Sequence, residues 1–303
     1  MNPDTKESTA EPTAVPAVVP PVMPGQSIAD AQEVDETRPV ASLVLPLNAA
    51  PIHVETEVDA AGLSALLAHT EKTWTRLGEE EPHWSVISAE RFKQKQLEPH
   101  LEEFYASGQG DIATFGAFLA RNEVDTSAFE SVLEFGCGVG RVTRFLAEHF
   151  KRVVACDISP SHLASAQQYL QGLKLDHVEL LRLRSLDDLD GPADIDAVFS
   201  VIVLQHNPPP TMVAILQKLL LRLKPGGVAY FQVPTHALDY RFSVDDYLKH
   251  GLQARHVEMH YLPQRRIFQI AGAAGCEVLE VREDDWVGRR EVELSNTFLL
   301  RRV

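Results

Sequence analysis

The sequence predicts an α/β protein built on a doubly wound, parallel sheet, and three observations carry that prediction. The apolar pair Val132-Leu133 runs into Glu134-Phe135-Gly136-Cys137-Gly138-Val139-Gly140-Arg141, a glycine-rich strand-to-helix turn. Apolar runs of strand length then alternate with segments of helical spacing up to residue 233, the pattern of parallel strands joined by crossover helices. One run, Asp196 to Leu204, is almost continuously apolar, as a strand covered on both faces should be.

Taken in order, residues 1–55 hold Pro12, Pro16, Pro20, Pro21 and Pro24 among Ala, Val and Thr without any period. They read as a disordered, acidic tail that buries too little to offset the entropy of ordering. Residues 56–125 read as a separate helical cap: Leu63, Leu66, Leu67, Trp74 and Leu77 recur at helical spacing, and 90–107 and 111–122 are similar. The sheet belongs to residues 126–303. A first strand ends at Glu134, with a helix from Val139 to His149. Residues 151–156 form a second strand, with Asp157 at its end, 17 residues after Gly140. Ser159-Pro160 then opens a helix over 161–171, proline being suited to the first helical position. Residues 178–183 and 196–204 supply the third and fourth strands, and 211–223 a helix. Lys224-Pro225-Gly226-Gly227 breaks that helix before a fifth strand over 228–233. A long connection, 234–262, precedes a helix over 263–274, a turn at Gly275-Cys276, and two last strands over 277–282 and 296–302.

The glycine turn carries the chemistry. Glycine lacks a Cβ and tolerates φ > 0, so backbone can approach a ligand closely. A pyrophosphate site of the nicotinamide or flavin type reads G-x-G-x-x-G. Here the spacing is G-x-G-x-G and Glu134 precedes it; a carboxylate there repels a pyrophosphate and suits a cationic group. Asp157, at the end of the next strand, is placed to accept both hydroxyls of a ribose.

The turn closely resembles the first motif of class I S-adenosylmethionine-dependent methyltransferases, a hydrophobic residue and an acid before G-x-G-x-G. Leu223-Lys224-Pro225-Gly226-Gly227 resembles the family's connection ahead of the fifth strand, and residues 203–208 its fourth-strand exit. The resemblance spans residues 126–303 and implies a Rossmann-like, seven-stranded sheet with an antiparallel last strand. It also implies S-adenosyl-L-methionine as cofactor and methyl transfer as activity. On it, Glu134, Phe135, Gly136, Cys137, Gly138, Gly140, Arg141, Asp157, Ile158, Ser185, Leu186, Val201 and Gln205 are the expected cofactor-binding residues. His206, on the carboxyl-end rim of the sheet, is the candidate general base; its alternative is a rim histidine that only packs or touches the cofactor.

The pattern W-x-x-L-G at 74–78, P-x-W-S-V at 82–86 and F-x-x-S-G at 104–108 is similar to the leader of a bacterial branch of these enzymes. It implies a lid lined by Trp84, Tyr105 and Ser107. The plainer reading is that Trp74 and Trp84 attach helices to the core. His236, Tyr240 and His260, on the 234–262 connection, are the expected substrate wall; the alternative is a lid or homodimer contact with no substrate role.

Composition bounds the partners. Net charge is −15, and residues 1–60 hold two cations against ten acids, so −8 lies there and −7 in the remainder. An acidic folded part is a poor match for nucleic acid. Arg265-Arg266 and Arg289-Arg290 read as solvated surface. No membrane-length apolar stretch and no secretory signal are evident, so a cytoplasmic protein with reduced cysteines is expected. Asn207-Pro208-Pro209-Pro210 resembles the N-P-P-aromatic loop of enzymes that methylate amino groups, but it lies too far from Asp196 and lacks the aromatic; it reads as a turn. His256 and His260 lack the adjacent glutamate of H-E-x-x-H, and no metal is expected. The expected acceptor is a small molecule or glycan, methylated on oxygen or nitrogen. A nucleic-acid or protein methyltransferase, or a cofactor-binding protein without turnover, are the alternatives.

Overall fold

A computed structural model describes residues 45, 48–253, 257–289 and 291–303. Most of the proline-rich segment, His256 and Arg290 therefore lie outside the described residues. In chain order the elements are β1 (His53–Val54), α1 (Ala60–Glu80), α2 (Leu101–Ala106), α3 (Gly108–Arg121), β2 (Ser131–Phe135), α4 (Thr143–His149), β3 (Arg152–Asp157), α5 (Pro160–Gly172) and β4 (Val178–Arg182). Then follow β5 (Ile195–Ser200), α6 (Pro209–Leu220), β6 (Leu223–Ala237), β7 (Arg241–Phe242), α7 (Val244–His250), α8 (Gln264–Ala273), β8 (Cys276–Asp284) and β9 (Glu293–Arg302).

Seven strands form one sheet in the order β4-β3-β2-β5-β6-β9-β8. β9 runs antiparallel to both its neighbours, and the other pairs are parallel. Side chains alternate across the central strands. Leu133, Phe135, Val154 and Val198 face a core shared with Met212 and Ile215 of α6 and Ile267 and Ile270 of α8. Val132, Val153, Ala197 and Tyr230 face a second core with Phe115 and Phe118 of α3 and Leu146 of α4.

The structure refines several sequence-based boundaries. The N-terminal helices are not separate from the sheet, because α3 buries Phe115 and Phe118 in the second core and Leu63 and Leu67 of α1 pack on the first. The stretch 90–107 is not one helix: short 3-10 turns at Glu90–Phe92 and Glu98–His100 precede α2, with Pro99 at the start of the second. β5 ends at Ser200 rather than Leu204, since Ile202 takes a left-handed φ of +58° that no strand accommodates. Residues 224–227 interrupt β6 as a bulge: Ile195 pairs with Leu223, but Ala197 already pairs with Val228, and Gly226 has φ +81°. β6 then continues to Ala237, so the long connection starts later than residue 234. Finally, the end of the expected tail is ordered by pairing, His53 and Val54 lying parallel to Arg241 and Phe242.

Backbone conformation makes opposite demands on two glycines. Gly116 is exposed in mid-α3 with open space around it, whereas Gly136 has φ +80° and a Cβ there would lie 2.4 Å from Val203. Gly116→Ala should raise stability by about 0.5–1 kcal/mol by reducing unfolded-state freedom. Gly136→Ala should lower it by about 2 kcal/mol or more through strain and overlap. Urea unfolding of both variants checks the pair of signs.

Candidate active site

The carboxyl ends of β2, β3 and β5 open onto a cavity of about 1260 Å³, roofed by α1. Its floor is the glycine turn. Gly136, Gly138 and Gly140 have φ of +80°, +54° and +84°. The left-handed backbone at Gly140 also delays α4, which starts at Thr143 and not at Val139. The Gly136 and Cys137 N–H groups both donate to the Cys156 carbonyl, at 2.8 and 3.0 Å. Asp157 accepts from the Gly138 N–H through Oδ2 at 2.9 Å and from the Ser159 N–H through Oδ1 at 2.8 Å. Each carboxylate oxygen keeps a lone pair for a ligand hydroxyl.

Glu134 is buried at the end of β2 and accepts a 2.5 Å hydrogen bond from the Thr143 hydroxyl. Burial pushes its carboxyl up to about 7, against the opposing pull of the Thr143 bond and the Arg141 charge. Arg141 is itself tied down, pairing with Asp111 of α3 at 2.6 Å and donating to the Ser107 hydroxyl at 3.3 Å.

Cys137, Ile158, Ser185, Leu186, Val201 and Gln205 join Glu134, Phe135, Gly136, Gly138, Arg141 and Asp157 in the cavity wall. Gly140 stands back from it, packed towards Ala166 of α5. His206 also lines the cavity, in the 3-10 turn Leu204–His206. Its Nδ1 lies 2.8 Å from the Glu258 carbonyl oxygen, its Nε2 3.4 Å from Gln205, and its ring 5.2 Å from Trp74. Burial depresses the imidazole to about 4, so it is neutral at physiological pH.

The other expected wall residues divide. Trp84 lines the cavity, with its indole N–H buried and without a partner. Tyr105 and Ser107 do not: Tyr105 stacks on Tyr169 at 3.5 Å and the Ser107 hydroxyl donates to the Phe104 carbonyl. His236, Tyr240 and His260 also lie outside the wall. His236 is held in β6 opposite Leu294, and the Tyr240 hydroxyl bonds His260 Nδ1 at 2.9 Å within an aromatic cluster. That cluster instead supports Val257, Glu258 and Met259, which do line the cavity.

Sequence reasoning missed three parts of the wall. α1 contributes Leu63, Leu67 and Trp74, the connection between β8 and β9 contributes Trp286 and Arg289, and α5 contributes His162. Trp286 is a large aromatic on a loop with acids before it and glycine after it, a signal that was available. His162 gave none; it is buried, with Nε2 2.8 Å from the Ser85 hydroxyl. Among the described residues, no cluster of three or more His, Cys, Asp or Glu is arranged to hold a metal ion, and no helix is long and apolar enough to cross a membrane. The described cysteines are free and buried, and burial raises the Cys137 and Cys156 thiols.

Comparison with known proteins agrees with the fold of this sheet. Residues 133–229 match the family model of a methyltransferase domain. Ubiquinone biosynthesis O-methyltransferase of Xylella fastidiosa is 33% identical over 100 residues, 32% of this chain and 38% of that protein. Trans-aconitate 2-methyltransferase of an Azoarcus species is 34% identical over 118 residues, 38% of this chain and 43% of that protein. The chain thus spans about two fifths of the length of these relatives. Magnesium protoporphyrin IX methyltransferase from Synechocystis PCC 6803, solved with bound SAH, has the same fold at TM-score 0.53 and 17% identity, over 78% of this chain and 99% of that one. Its form with bound SAM aligns at TM-score 0.51 and 15% identity, over 82% and 100% of the two chains. Residues 133–229 thus match a methyltransferase domain, set in a sheet that shares the fold of these S-adenosylmethionine-dependent methyltransferase structures.

Proposed function

We propose that this protein transfers a methyl group from S-adenosylmethionine to an oxygen or nitrogen of a small-molecule or glycan acceptor, with His206 as general base. The observation that carries the reading is one cavity that unites Glu134, the left-handed glycine turn, Asp157 and His206. The residues present fit the cofactor. A Cβ at Gly136 or Gly138 would crowd the turn, Asp157 has free lone pairs for ribose hydroxyls, and Glu134 is an acid that a cationic amino group would ionise. When bound, S-adenosylmethionine supplies an already activated methyl on a sulfonium centre.

The chain then has to align the acceptor, exclude water and take a proton. α1, with Trp74 and Leu77, and the 257–259 segment form the part of the cavity wall that would cover the acceptor. Because the Glu258 carbonyl can only accept, His206 Nδ1 carries the hydrogen and Nε2 offers the lone pair. Trp84 belongs to the same roof, where its unpartnered N–H is free to donate to a ligand. A cavity of about 1260 Å³ exceeds the ~300–1000 Å³ of a typical ligand site, leaving room for donor and acceptor together. The relatives named for ubiquinone biosynthesis and trans-aconitate support a small organic acceptor. The net charge of −15 weighs against nucleic acid. We further propose that the 56–125 helices act as a lid and that the protein works in the cytoplasm.

Three measurements test this reading. Calorimetry should show binding of S-adenosylmethionine and SAH, weakened about tenfold or more in Asp157→Ala. A screen of small carboxylate, phenol and sugar acceptors, read by SAH release, should find turnover that His206→Ala lowers by ~10²-fold; full activity of that variant removes the base role. Because the neutral imidazole persists above about 4, the His206 limb should leave turnover flat between about pH 6 and 8.

Glu134 gives a separate pH signature. Its carboxyl is raised from 4.5 to about 7, so the ligand-free native state holds this proton more tightly than the unfolded chain does. The proton's stabilising effect is present below about 4.5 and fades as pH rises through about 7. Affinity for SAH, whose amino group favours the carboxylate, should therefore rise from about pH 6 to 7.5. Glu134→Gln should flatten that rise, as titration at several pH values would reveal.

A further inference from the structure

We propose that Gln232, in the middle of β6, is a positioning residue that, through Gln205, keeps Nε2 of His206 free of a proton, while the Glu258 carbonyl holds the hydrogen on Nδ1. The inference rests on the reading of His206 as the proton acceptor and adds what holds that residue ready. It follows from the polarity of a hydrogen-bond chain in which every direction is forced by chemistry.

The chain starts at the backbone of Ile202, whose N–H can only donate and lies 3.0 Å from the Gln232 amide oxygen. The Gln232 nitrogen therefore faces the other way, donating to the Gln205 side-chain oxygen at 3.1 Å and to the Ser295 hydroxyl at 2.6 Å. Both of its N–H bonds are used, and an amide nitrogen does not accept. Gln205 must then present its own nitrogen to His206, where it meets Nε2 at 3.4 Å. That contact is favourable only if Nε2 is bare. At the far side of the ring, the Glu258 carbonyl oxygen is 2.8 Å from Nδ1, which must carry hydrogen. Two backbone groups, the N–H of Ile202 and the C=O of Glu258, thus impose the same tautomer from opposite ends.

The surroundings hold both ends still. Gln232 is fully buried, so its amide cannot turn over to satisfy itself with solvent. Ile202 is β-branched at φ +58°, a strained conformation, and its N–H bond to Gln232 helps hold the turn that delivers Gln205 and His206. On the other side, the Glu258 carboxylate accepts from the Tyr247 hydroxyl at 2.5 Å and lies 3.4 Å from His69 Nε2. The His260 N–H donates to the Gln205 carbonyl at 2.7 Å, pinning the same turn. The long 3.4 Å contact at Nε2 is the weakest link of the chain. It is the one bond an acceptor hydroxyl would displace.

The test needs no acceptor. Full-length protein labelled with 15N-histidine would be studied by long-range 1H–15N correlation in the presence of SAH, with the His206 signals assigned by their absence in His206→Ala. In the wild type, Nδ1 should be protonated and Nε2 bare; an Nε2–H pattern there overturns the proposal without any variant. Gln232→Glu supplies acceptors only, so Gln205 should turn its nitrogen towards residue 232 and its oxygen towards His206. The Nε2 resonance should then move to its protonated position while Nδ1 keeps its hydrogen on the Glu258 carbonyl, the ring becoming an imidazolium that offsets the new carboxylate. Gln232→Leu removes the arm while keeping an apolar filler and frees Gln205 to present either end, so the Nε2 resonance should move part-way towards its protonated position while Nδ1 stays protonated against the Glu258 carbonyl. Calorimetric affinity for SAH within about threefold of wild type identifies folded samples. A wild-type Nε2 shift in either folded variant overturns the positioning role, even if His206→Ala is inactive. Conversely, full turnover by His206→Ala removes the base reading and leaves the tautomer result standing.

Discussion

The end of β3 holds the glycine turn in a path that ordinary residues cannot follow, and the site is assembled on that turn. The Cys156 carbonyl takes two N–H bonds from it, and Asp157 takes a third. These bonds offset the cost of three consecutive left-handed kinks at Gly136, Gly138 and Gly140. The N-terminal helices dock on the same framework through glycines of their own. A Cβ at Gly108 would lie 2.3 Å from the Arg141 carbonyl oxygen, and one at Gly78 would lie 2.7 Å from the Ser159 hydroxyl. Close backbone approach, rather than large side chains, sets the distance between cap and cradle.

Charge is distributed to serve that geometry. The Arg141–Asp111 pair is shielded on both sides, and such pairs contribute little net stability because desolvation offsets their attraction. Its effect is positional: it fastens α3 to the turn, and Asp111 offsets the pull of Arg141 on Glu134. Glu134 in turn is poised near neutrality by burial. A cationic ligand group then meets an acid that can ionise in response, instead of a carboxylate already neutralised by a fixed partner.

Much of this was legible in the sequence, and the failures have physical causes. Strands β2 to β6, the proline-opened helix α5 and the two acids were readable because apolar period, capping and glycine spacing are local signals. Nearly every cofactor residue inferred from the motif lies in the cavity wall, Gly140 excepted. Boundaries failed where tertiary demands override pattern. Ile202 stops β5 although its neighbours are apolar, and Pro225-Gly226 bulges a strand it was expected to precede. Tyr105, His236, Tyr240 and His260 looked like wall residues because aromatic and ionisable side chains attract that reading. The fold instead uses them one layer back, as Tyr105 on Tyr169 and Tyr240 on His260 show. The Gln232–Gln205–His206 chain joins separate strands and turns, so no local spacing could reveal it.

The same division explains why the donor side of the site can be named more readily than the acceptor side. The segment that matches the family, 133–229, runs from β2 into β6 and contains the glycine turn, both acids and His206. The donor half is shaped largely by backbone path, which many side-chain combinations can preserve. The remaining wall comes from outside that segment: Leu63, Leu67 and Trp74 of α1, Val257 to Met259, and Trp286 with Arg289. These contribute side chains on a helix and two connections, which can change without disturbing the sheet. Under the proposed function, acceptor choice is therefore written in the part of the chain least constrained by the fold. A sequence match confined to 133–229 carries the geometry of the cradle, while the shape of the opposite wall has to be read from the structure.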